Sequence, residues 1–128
     1  MRTRSLLGYI VAAIAAITVV SGLVQMIEPR LVLRVIGGEI TPASAHFFGI
    51  VGMFMLLFGG ALLQEVFSSS AQPIVALWTA LQKFGAVAAV ALGVVRGIFS
   101  PLALLVASFD LVSAGIIIAY WSHIRNSA

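Results

Sequence analysis

Lys83 and Asp110 offer this sequence its most distinctive chemistry, because each lies deep inside a long apolar run. A charge at the centre of a membrane helix costs at least about 2.5–3.5 kcal/mol on insertion scales, so it is kept with a partner or a task. The two residues flank a short connection around Arg96 to Ser100. Counted from that connection, Lys83 lies roughly 18 Å deep and Asp110 roughly 13 Å, at about 1.5 Å of rise per residue. A lysine stem spans the offset of about 5 Å. Asp110 shares a helix face with Ala103, Ala107 and Ala114, and Lys83 shares one with Ala76, Ala80 and Ala86. Both charges are therefore predicted to point into a narrow seam, where Gln82 and Thr79 can take the remaining hydrogen bonds. Three chemistries suit such a pair. It can fix the docking of two helices, although buried ion pairs are weak stabilisers. It can relay a proton or ion through Asp110. It can also serve as counter-ion to a bound ligand or a lipid head group.

A second polar group is expected at the opposite end of the chain's spans from the termini. His46 begins an apolar run there, and Gln25, Glu28 and Arg96 fall at similar depth. The four are predicted to form an interfacial polar cluster, with a solvated His46 as the plain alternative. No second histidine or carboxylate stands at metal-ligand spacing within one helix, so no metal is expected. The sequence has no cysteine, which excludes disulfides and thiolate chemistry. Ser21, Ser108 and Ser113 lie inside apolar runs with no histidine at matching depth, so an activated nucleophile is not expected. Neither an enzyme nor a cofactor is predicted. Gln64 and Glu65 end an apolar run and are expected to meet water or head groups. Arg2 and Arg4 are expected to anchor the amino end, and His123 with Arg125 forms a short basic tail.

The elements that must position these residues follow from composition. Of 128 residues, 62% are hydrophobic and 9% charged, and the mean hydropathy is +1.18. A soluble domain carries roughly a quarter charged residues, so most of this surface must face lipid. The net charge of +3 is a weak basic excess that suits anionic head groups and topology signals, not nucleic acid. A span needs about 20 apolar residues. Four stretches qualify, at about residues 6–27, 45–65, 74–95 and 102–122, within one domain over 1–128. The first resembles a secretory signal behind Arg2 and Arg4, but it is too long for a signal core and is read as a retained span. The predicted fold is all-α, an integral membrane antiparallel four-helix bundle. Thr41-Pro42 and Ser100-Pro101 read as caps followed by proline at the first helical position. Between the first two spans, residues 29–36 carry Arg30 and Arg34 four apart among apolar residues, which predicts a short interfacial helix.

An even number of spans puts both termini on one side. That side holds Arg2, Arg4 and Arg125, and the other holds Arg30, Arg34 and Arg96. The basic residues balance, and the weight of the first span sets the termini in the cytoplasm. Tyr9, Trp78, Tyr120 and Trp121 are expected to form an aromatic belt on the termini side. Small residues on each span predict close helix seams, among them Gly8, Ala12, Ala15 and Gly22, then Gly49, Gly52, Gly59 and Gly60.

The layout resembles the small bacterial four-helix membrane proteins grouped as DoxX-like and their uncharacterised relatives. The resemblance runs over most of the chain. It is carried by Glu28-Pro29-Arg30-Leu31-Val32-Leu33-Arg34-Val35-Ile36-Gly37, by His46-Phe47-Phe48-Gly49-Ile50-Val51-Gly52 with Gly59-Gly60, by Gln82-Lys83-Phe84 and by Phe109-Asp110-Leu111. It implies a bacterial inner-membrane protein in which the lysine and the aspartate belong together. The polar glycines of small fluoride channels and the first-helix glutamate of small multidrug exporters are missing here. The expected function is non-enzymatic, by association as an accessory subunit or a homo-oligomer within the lipid bilayer. The alternatives are a minimal transporter or channel built on Lys83–Asp110, and a lipid or hydrophobic-ligand binding protein.

Overall fold

Three of the four long helices start at a residue already set for a first turn. Ser5 accepts a hydrogen bond from Gly8 N and opens α1 (Leu6–Ile27). Thr41 caps α3 (Pro42–Val66) in a reciprocal box with Ser44, ahead of a proline at the first position. Pro73 opens α4 (Pro73–Val95). The short α2 (Pro29–Ile36) also starts on proline and stops at Gly37, whose φ of 73° favours a residue without Cβ. The last helix, α5, covers Ala103–Ser127. The computed structural model describes residues 2–127.

The described residues are helical throughout their ordered elements, and four helices are long and apolar enough to cross a membrane. The chain is an integral membrane bundle with one short extra helix. Two boundaries differ from expectation. The second span begins at Pro42 and not near residue 45, because the cap at Thr41 sets the start ahead of the apolar run. The last begins at Ala103 and runs past residue 122 to Ser127. Ser100 is not a side-chain cap. Its N–H donates to Ile36 O at 2.8 Å, and residues 100–102 form turns before the helix sets in. At the far end Tyr120 and Ile124 are still buried, so tertiary packing carries the helix into the polar tail.

The spans pack as two tight pairs, α1 with α3 and α4 with α5, and the two pairs meet each other more loosely. Small residues explain the first pair. A Cβ at Gly52 would lie 2.7 Å from both Gly22 O and Met26 N, and one at Gly22 would lie 2.6 Å from Gly52 O. Backbone therefore meets backbone, which gains van der Waals contact where lipid supplies no hydrophobic drive. Gly59 extends the seam against Ala15 O. Gly60 faces open space and takes no part.

The halves of the bundle differ. Towards the termini, Val11, Ala15, Leu62, Ala76, Ala80 and Ile117 form one buried cluster drawn from all four spans. Towards the other end the pairs are bridged by a smaller cluster of Leu33, Ile36, Ala45 and Ala103, packed by Phe48 and Phe99. α2 buries Leu33 and Ile36 and leaves Arg30 and Arg34 exposed, as its amphipathic pattern predicts.

The glycine seam is testable. Gly52→Leu is expected to lower the thermal midpoint in detergent, because forcing side-chain atoms into a close-packed contact costs about 1–3 kcal/mol. Gly60→Leu, which meets nothing within 4 Å, is expected to leave the midpoint unchanged. Equal midpoints for the two variants would show that α1 and α3 are not in backbone contact.

Candidate functional site

Lys83 and Asp110 meet. Lys83 Nζ donates to Asp110 Oδ1 at 3.2 Å across the α4–α5 seam. The small residues beside them make this possible. Ala76, Ala80, Ala103, Ala107 and Ala114 are all buried and hold the two helices close. The lysine side chain is 3% exposed and the aspartate 16%. Lys83 Nζ also lies 5.3 Å from the centroid of the Phe109 ring, a contact that favours a desolvated cation. Gln82 and Thr79 do not complete the pair. Thr79 Oγ1 donates to Val75 O at 2.8 Å, within its own helix. Gln82 Oε1 is buried and has no hydrogen-bond partner among the described residues.

The reason for the aspartate's greater exposure is a cleft of about 340 Å³ between the two helix pairs. Gln82, Lys83 and Asp110 line one wall, and Thr18 and Gln25 of α1 line the other. The remaining lining is apolar, including Phe48, Val51 and Met55 of α3, Ala86 and Ala89 of α4, and Val106 of α5. Ile36 and Phe99 contribute at the end away from the termini. Thr18 Oγ1 donates to Ile14 O at 2.9 Å. Gln25 spends its Nε2 on Phe48 O at 3.0 Å, joining α1 to α3.

The interfacial cluster expected from His46, Gln25, Glu28 and Arg96 is not assembled. Gln25 is buried and faces the cleft, whereas His46, Glu28 and Arg96 are exposed. His46 stands edge-on to Phe47 and borders an outer groove with Arg30 and Pro42. Similar depth does not fix helix azimuth, and Gln25 falls on the glycine seam of α1 while the others fall outside it. No three His, Asp or Glu side chains gather as metal donors among the described residues.

A constellation that the sequence reading missed closes the termini end. Glu65 does not meet water or head groups; it is 2% exposed. Its Oε2 accepts from Arg2 Nη1 at 2.9 Å and from Gln72 N at 3.2 Å, and its Oε1 accepts from Tyr120 Oη. Arg2 Nη2 donates to Tyr120 Oη at 2.8 Å. Burial disfavours the charge on Arg2, but the bond and the charge of Glu65 outweigh it and raise the arginine's pKa. Tyr120 therefore belongs to the bundle interior and not to an aromatic belt; Tyr9 and Trp78 face outward as expected. Arg4 does anchor the amino end, donating to Val66 O and Phe67 O, the last carbonyls of α3, each at 3.0 Å. The available signal was the position of Glu65 on the face of Leu62 and Gly59, which faces the core.

Set against family models, characterised proteins and solved structures, the chain matches none of them.

Two substitutions separate pairing from mere burial. Lys83→Met leaves a buried carboxylate unpartnered and is expected to cost about 3–5 kcal/mol, measured by denaturant unfolding in detergent. Adding Asp110→Leu is expected to recover most of that loss; if the double variant is as unstable as the single, the two side chains do not act as a pair. At the other end, Tyr120→Phe removes one donor from the buried Glu65 and is expected to cost about 1–3 kcal/mol in the same assay.

Proposed function

We propose that this chain is a non-enzymatic membrane protein that takes a small hydrophobic molecule from the bilayer into the cleft between its two helix pairs. The observation that carries this reading is the shape of the bundle. Towards the termini the spans share a buried apolar cluster, and the pocket of about 420 Å³ at that end is bordered by Arg2, Arg4 and His123; towards the other end the two pairs enclose a largely apolar hollow with a few polar groups on its walls. Ligand sites in membrane and soluble bundles have that character, apolar walls with sparse orienting polar groups. A void without an occupant forfeits the dispersion contacts of its lining, so a bound molecule stabilises the arrangement.

The relay reading of Lys83–Asp110 draws less support. The buried cluster towards the termini occupies the continuation of any path from the pair to that side. Association with other membrane chains is the second reading, and it rests on outward glycines. Gly60, Gly85 and Gly115 meet nothing within 4 Å and offer lipid-facing helix surface to a close neighbour. We place the protein in a bacterial inner membrane with its termini in the cytoplasm, in keeping with Arg2 and Arg4 ahead of the first span.

Protein purified in a mild detergent is expected to retain one hydrophobic molecule per chain, detected as a mass adduct by native mass spectrometry. Ala89→Trp places a large ring at the cleft wall and is expected to abolish the adduct while leaving the thermal midpoint within a few degrees of wild type. Undiminished retention in that variant would remove the cleft from consideration as the binding site.

A further inference from the structure

The polar groups of the cleft select a kind of ligand, an inference that rests on the binding reading above. A carboxylate can only accept hydrogen bonds. Asp110 takes one donor, Lys83 Nζ, at its Oδ1. Its Oδ2 has no donor among the described residues, although the side chain opens into the cleft. Gln82, which lines the same cleft, has a buried Oε1 without a partner among the described residues. Leaving buried polar groups unmatched is costly in a medium that supplies no hydrogen bonds. These oxygens call for a donor, and Lys83 Nζ, which spends one of its N–H groups on Asp110, can give to an acceptor in return.

Charge narrows the class. The cation and anion of the pair stand 3.2 Å apart, so their fields largely cancel in the cleft. A cationic or anionic ligand would shed its hydration without meeting a net opposite charge, which is costly. A neutral hydroxyl avoids that cost. It donates to the free carboxylate oxygen, and its own oxygen can accept in return. Turning the Gln82 carboxamide over would offer it an N–H instead and leave the demand from Asp110 unchanged. Size narrows it further. At about 30 Å³ for a group the size of water, the cleft holds on the order of ten non-hydrogen atoms. It accommodates a hydroxyl and the first part of a chain, with the remainder running out into lipid past the apolar walls.

We infer that the cleft binds a neutral long-chain alcohol or phenol, whose hydroxyl donates to Asp110 or Gln82 and whose apolar body lies along α3 and α4. Wild-type protein stripped of lipid is exposed to equal concentrations of 1-dodecanol and dodecyl methyl ether, and the bound fractions are read by native mass spectrometry. The alcohol is expected to occupy the protein at least ~10-fold more than the ether, the usual scale for a hydrogen bond to a charged group. Gln82→Leu, which keeps the ion pair, is expected to narrow the preference, and Ala89→Trp to prevent binding of both. Equal occupancy by alcohol and ether that Ala89→Trp abolishes overturns the selection for a hydroxyl and leaves the binding site standing. Absence of both from wild type, or binding that survives Ala89→Trp, overturns the site itself.

Discussion

Hydrocarbon offers no hydrogen bonds, and that single deficiency shapes where the polar side chains of this protein go. Several within the spans find a partner inside the bundle or turn back on their own helix, and the buried Gln82 Oε1 is an exception among the described residues. Thr18, Thr79 and Ser108 turn back, each donating to a carbonyl one turn earlier. Glu65 collects Arg2, Gln72 N and Tyr120 at one end. Lys83 finds Asp110 in the middle. The carboxylate of Glu65 is fully answered, and that of Asp110 is answered on one side only. Both groups tie helices together, and the second leaves one carboxylate oxygen without a donor among the described residues.

Packing distributes the four spans unevenly for a related reason. Between helices in lipid, close approach replaces the hydrophobic effect as the source of cohesion. Where Gly22 and Gly52 face each other, α1 and α3 come to backbone contact. Around the ion pair, buried alanines of α4 and α5 let the second pair pack closely. Between the pairs, larger side chains meet. Those of the termini half interlock, whereas Phe48, Val51 and Met55 leave space opposite Ala86 and Ala89. Large residues opposite small ones can fill a gap or leave one, and here the lateral spread of the pairs leaves one.

Much of this architecture can be read from the residues themselves. Apolar length marks four spans, Thr41-Pro42 marks where α3 starts although the apolar run alone put it near residue 45, and the alternation of Arg30, Leu33, Arg34 and Ile36 marks α2. The Lys83–Asp110 pairing was legible because a short connection forces two helices side by side, so depth along each helix sufficed. Depth alone failed elsewhere. His46, Gln25, Glu28 and Arg96 share a level but not a direction, and direction depends on which helices neighbour one another. The Glu65 group was hidden for the same reason. Its members lie 63 and 55 residues apart along the chain, and no local pattern links them. The cleft was equally hidden, since a hollow is a property of the gap between surfaces and belongs to no sequence position.

The bond from Ser100 N to Ile36 O crosses from the turn between α4 and α5 to the end of α2, which rides on α1 and α3. It is a main-chain strap over one end of the hollow, set by the left-handed turn at Gly37. At the opposite end Glu65 and Tyr120 form a second strap between α3 and α5. With both ends held, the open side of the hollow lies between the straps, along the flank of the bundle where Val51 and Ala89 stay exposed.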